Sequence, residues 1–113
     1  MSKAELGHNK AVRGSYKGHC TQDIKRAERI MADTDTPNLT ELRAITQRLS
    51  RRLDKISLMD NKIINALDKE EEMIHETDEA LTFQDNIRYW NLQITKFTAG
   101  RQLPVSPDRK SVV

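Results

Sequence analysis

Four side chains carry the soft donors that bind transition metals or act as nucleophiles: His8, His19, Cys20 and His75. His19 and Cys20 are adjacent, so on a helix they diverge by about 100° and do not converge on one ion. No C-x-x-C and no H-x-x-x-H spacing occurs. The stretch RGSYKGH sets Gly14 and Gly18 around Ser15, without the strand-turn-helix context that a phosphate-cradling loop needs. No G-x-S-x-G or G-x-G-x-x-G is present. Cys20 has Lys17 one turn back but no paired base and orienter. Carboxylates crowd Glu70–Glu79, where a polar helix end explains them through solubility and the macrodipole. General acid–base work would also need an enclosing pocket. The expectation is therefore a non-enzyme, with no catalytic, metal-binding or cofactor-binding residues and no cofactor.

Phosphate binding is the one chemistry the residue types favour. Lys3, Lys10, Arg13, Lys17, Lys25, Arg26 and Arg29, with Tyr16 among them, make a basic first segment, and Arg43, Arg48, Arg51, Arg52 and Lys55 form a second patch. Such residues neutralise phosphates without reading sequence. Lys10, Arg13, Lys17, Arg48, Arg51 and Arg52 are the candidate phosphate contacts. Charge is unevenly spread: residues 1–30 are net +4, residues 56–85 net −7 and residues 86–113 net +4, for +2 in total. Opposed segments can steer antiparallel helix pairing, and the acids also limit any basic field.

Three helical segments must position these groups. The clearest signal is an apolar stripe of Leu42, Ile45, Leu49, Leu53, Ile56, Met59, Ile63 and Leu67, recurring every three or four residues. Leu53 and Leu67 make it wider than a two-position coiled-coil seam, and Arg52 interrupts the seam line. Asn38 with Glu41 is a capping box for this helix, and Thr36 with Pro37 at the first helical position is the competing cap. An earlier helix over about 9–32 places Val12, Tyr16, Cys20, Ile24, Ala27 and Met31 on one face, widened by Ile30. Gly14 and Gly18 weaken it by about 1 kcal/mol each relative to Ala, so its first half should fray or lean on tertiary contacts. Asp33–Pro37 reads as a turn. A third helix over about 69–98 carries Ile74, Leu81, Ile87, Trp90, Ile94 and Phe97, with Thr77 and Gln84 as polar gaps. Asp68 with Glu71 resembles a second capping box, so a break near Asp68 is expected. Ala99-Gly100 should end the third helix. Residues 1–8 read as a flexible leader, and 100–113, with two prolines and no periodicity, as a disordered tail or linker.

Composition sets the outer bounds. A chain of 113 residues with two Phe, two Tyr and one Trp can build one small helical core and no large aromatic one. A lone cysteine permits no internal disulfide and fits a reducing compartment. No apolar run approaches membrane-spanning length, and MSKAELGHNK lacks the apolar region of a signal peptide. The expected location is cytoplasmic, with no membrane partner.

The order of elements resembles the helical region near the N-terminus of Gag-like polyproteins from BEL/Pao-type retrotransposons. A basic opening with a small residue and a hydroxyl (KAVRGSYKGHCT) precedes a helix. A Pro-containing turn then leads into the leucine-spaced helix, and an acidic helix follows with an E-x-x-x-A-like centre (HETDEALTFQDNI). The likeness covers residues 10–98 and is one of pattern. It implies a structural or assembly role and a polyprotein context. The zinc knuckle and aspartic protease of such polyproteins have no counterpart here, since the sequence holds no CCHC cluster and no D-[ST]-G. The resemblance thus implies a fragment, with no catalytic residues to carry over.

The expected architecture is an all-α, up-down-up antiparallel bundle of three helices, over about 9–32, 38–67 and 69–98. The alternative is a long helical hairpin or coiled coil with one continuous helix from about 38 to 98. The expected function is an interaction and assembly module that contacts itself or another helical protein through Leu42, Ile45, Leu49, Leu53, Ile56, Met59, Ile63, Leu67, Leu81, Ile87, Trp90 and Ile94. The alternative function is a basic, sequence-independent nucleic-acid-binding accessory segment.

Overall fold

A computed structural model describes residues 2–101. Three α-helices follow one another: α1 Lys3–Ala32, α2 Leu39–Asn65 and α3 Glu70–Arg101. They form an up-down-up bundle in which α2 lies between the other two. It packs along its length against both, while α1 and α3 meet over a short stretch. The continuous-helix alternative is not what forms: residues 66–69 separate α2 from α3.

Local chemistry explains most of the boundaries. Asn38 caps α2 as expected, its side chain accepting from the Glu41 backbone N–H at 3.0 Å. In the preceding turn, Asp33 Oδ1 accepts from the backbone N–H groups of Asp35 (3.2 Å) and Thr36 (3.3 Å). This holds the chain in a side-chain-closed turn rather than handing the cap to Thr36 and Pro37. The third helix starts one residue later than an Asp68 cap implies, with Glu70, Glu71 and Glu72 in its first turn. Acids there complement the helix dipole.

Both ends of the bundle differ from the sequence expectation. Residues 2–8 are not a loose leader. Ser2 is the N-cap of α1 and forms a full capping box: its hydroxyl accepts from Glu5 N (3.1 Å), and its own N–H donates to Glu5 Oε1 (3.3 Å). The hydrogen bonds from Ser2 hold the Glu5 carboxyl below its usual range. At the other end α3 runs through Ala99 and Gly100 to Arg101, whose guanidinium stacks 3.7 Å from the Phe97 ring centroid. The remaining tail expectation, residues 102–113, lies outside the described residues.

The core is one aliphatic layer. Leu42, Ile45, Leu49, Ile56 and Ile63 of α2 are fully buried, as are Cys20 and Ala27 of α1 and Ile87 and Ile94 of α3. Ile24 and Ala80 join them at 8% and 3% exposure. Tyr16, Ile30, Met31, Leu39, Leu53, Phe83, Trp90 and Phe97 pack partly buried around the rim. Burying a Leu or Ile side chain stabilises by about 1.5–3 kcal/mol, so α2 with five such residues dominates the apolar energetics.

Candidate functional site

The structure brings together a polar cluster that sequence reasoning did not single out. Asp60 of α2 is 1% exposed, although it sits on the apolar stripe between Ile56 and Ile63. Its Oδ1 accepts from Arg13 Nη1 of α1 at 2.9 Å, and its Oδ2 accepts from Gln84 Nε2 of α3 at 2.8 Å. Arg13 Nη1 also reaches Glu76 Oε1 of α3 at 2.5 Å. All three helices are therefore tied at one level by side chains that are mostly out of water. Burial opposes the charge on Arg13, but the hydrogen bonds and charges of Asp60 and Glu76 outweigh it and raise its pKa above the ordinary guanidinium value. The sequence signal for this cluster was three polar residues at one bundle level: Arg13, Asp60 on the stripe line, and Gln84 as the gap in the α3 stripe.

A second cluster joins α1 to α2. Asp23 accepts from Arg48 through both carboxylate oxygens (3.1 and 3.2 Å) and also from Arg52. Arg26 donates to Glu41 at 2.8 Å, and Arg48 lies 3.8 Å from Glu41. The hydrogen bond to Asp23 is the main cause that raises the Arg48 pKa. Arg52, which breaks the seam line in sequence, faces Asp23 of the neighbouring helix.

These contacts redistribute the six candidate phosphate ligands. Arg13, Arg48 and Arg52 are engaged by carboxylates of the same chain. Lys17 is half-buried, with Nζ 4.9 Å from the Phe83 ring centroid. Lys10 and Arg51 are exposed, on different helices. Three of the six are thus paired within the bundle: Asp60 and Glu76 lie opposite Arg13, and Asp23 lies opposite Arg48 and Arg52.

The proposed packing stripe divides more simply. Of its α2 members, five are fully buried and Leu53 and Met59 partly so, whereas Leu67, expected in the same helix, lies past its end at Asn65 and is partly buried in the connection. In α3, Ile87 and Ile94 are core and Trp90 is partly buried against it, with the Tyr89 ring edge-on at 5.6 Å. Leu81 is a correction: it is 52% exposed, and Ile74 is 56% exposed. The inward line of α3 runs instead through Ala80, Gln84, Ile87, Ile94 and Thr98. Two small or polar side chains there, Ala80 and Gln84, hide the true face from a reading by hydrophobicity. Ile74, Leu81 and Leu92 lie together on a second side of α3, each more than half exposed.

The remaining groups stay apart. His19 is exposed while its neighbour Cys20 is buried, and His75 is exposed, 3.7 Å from Glu79. Burial pushes the Cys20 thiol up to about 11. Among the described residues no group of three or more His, Cys, Asp or Glu is arranged to hold a metal ion. No helix among them is long and apolar enough to cross a membrane. Compared with known protein families, with curated proteins and with solved structures, the chain matches none.

Proposed function

We propose that this chain is a non-enzymatic helical interaction module that self-associates, the assembly role implied by its resemblance to the Gag-like regions of retrotransposon polyproteins. One observation carries the reading. After the three-helix core has closed, Ile74, Leu81 and Leu92 remain more than half exposed along one side of α3. Single exposed apolar residues are ordinary on any protein, but an aligned set on one helix face is a surface suited to another helix. Sedimentation of the purified chain tests it. Concentration-dependent assembly at tens of micromolar is expected, and a strict monomer over that range overturns it.

The nucleic-acid reading retains less support, because three of its six cations have carboxylate partners within the bundle. A salt titration against single-stranded RNA distinguishes it: phosphate contacts require tight binding at low salt and a steep loss as salt rises. Absence of binding at low salt removes it.

A further inference from the structure

The exposed side of α3 has a pattern of its own. Ile74, Leu81 and Arg88 recur at intervals of seven, and so do Glu71, Asp78, Asp85 and Leu92, offset by four from the first set. Ile74, Leu81 and Leu92 are the apolar members of this line and Glu71, Asp78, Asp85 and Arg88 its charged ones, all on the water-facing side of the helix. Charge along the helix is polarised as well. Residues 70–79 contain six acids and no Lys or Arg, whereas residues 86–101 contain Arg88, Lys96 and Arg101 and no acid.

We infer that two copies of the chain pair through this face, α3 against α3 and antiparallel, about a twofold axis level with residue 83. The inference rests on the self-association reading and specifies its surface and direction. Charge fixes the direction: a parallel pair would stack acidic half on acidic half, while an antiparallel pair sets each basic half beside an acidic one. One register opposes Ile74 to Leu92 of the second copy, Asp78 to its Arg88 and Leu81 to its Asp85. It also places the two Leu81 side chains on either side of the axis. Arg88, which in the single chain reaches Asp85 at 3.1 Å, gains Asp78 of the second copy as a further partner. The contact is isologous, as a closed dimer requires.

Two measurements test the pairing. Leu81→Glu places a charge beside the axis at a position already open to water, so the thermal melt of a dilute sample should hardly move. The dimer seen by sedimentation should be lost. Cysteine cross-linking reads direction. Leu81→Cys should link to its own copy through a short bifunctional thiol reagent, since the two sites lie about 6 Å apart along the axis and face each other across it. Ile74→Cys and Leu92→Cys should each fail to self-link, because like sites are separated by about 27 Å or more in this register. Mixed together, those two variants should cross-link. The natural Cys20 does not compete, being buried. A dimer that survives Leu81→Glu overturns the surface yet leaves self-association standing. Self-linking at position 74 or 92 overturns the direction. A chain that stays monomeric at tens of micromolar overturns both this inference and the reading beneath it.

Discussion

Asp60 holds a carboxyl group in the core with both oxygens occupied, one by a guanidinium and one by a primary amide. A buried pair adds little stability compared with a well-packed apolar replacement, but removing one partner strands the other. Asp60→Ala is therefore expected to cost about 3 kcal/mol in a urea melt, since Gln84 loses its acceptor and Arg13 is left with Glu76 alone. The double variant Arg13→Met with Asp60→Leu should cost clearly less than the two single changes added together, and strict additivity would deny the coupling. Cys20 gives a second prediction. Its thiol keeps its proton in the fold up to about pH 11, whereas the unfolded chain releases it near the ordinary 9.0. A raised folded pKa means that this contribution to stability is whole below pH 9 and is lost as pH rises from 9 to 11. Unfolding midpoints followed across that window should fall in the wild type and fall less in Cys20→Ala. Equal slopes would contradict the assignment.

At the scale of elements, each helix follows from local rules with one or two exceptions. The Asn38 cap, the turn at Asp33–Pro37 and the separation of α2 from α3 near Asp68 were all readable in the sequence, because caps and turns are decided by neighbours within four residues. The inward face of α3 was not readable. Periodicity assigns a face by hydrophobicity, so Gln84 reads as a gap and Leu81 as core, whereas the fold turns Gln84 inward to meet Asp60. Partnership across helices, which periodicity does not see, decided the rotation of α3. The start of α1 was missed for a different reason: Gly7 and the sparse apolar residues before Val12 offered no stripe, while the Ser2–Glu5 capping box was present in the sequence all along. The glycines of α1 yield a prediction. Gly14 and Gly18 are helical and exposed, and an added Cβ would meet nothing within 4 Å at either. Gly14→Ala and Gly18→Ala should each raise stability by about 1 kcal/mol, read as a shift in melting midpoint at unchanged oligomeric state. Asn38→Ala should lower it by about 1 kcal/mol through loss of the α2 cap.

On the scale of the whole molecule, the arrangement is centred on α2. Its apolar face serves both neighbours, and α1 and α3 share little surface of their own. Stability should therefore be graded across the bundle. Amide hydrogen exchange is expected to be slowest in the middle of α2, around Leu49–Ile56, where exchange needs global unfolding. It should be faster over the first turns of α1, which can lift away once Arg13 lets go. Equal protection across α1 and α2 would show that the bundle opens only as a unit.

The two carboxylate clusters between α1 and α2 have a further consequence. Arg13 meets Asp60, and ten residues along α1 Asp23 meets Arg48 and Arg52. Small aliphatic side chains at helical spacing are tolerant of sliding, since a displacement of one turn, about 5.4 Å, brings a similar side chain to each position. The polar contacts are not tolerant in that way, and because opposite charges alternate between the helices, a slip parts both clusters together. They work like the teeth of a ratchet that has only one resting notch. The aliphatic layer supplies the grip and the charged side chains the alignment. A chain stripped of those charges would still collapse into three helices, but it would have lost the means of choosing among neighbouring alignments.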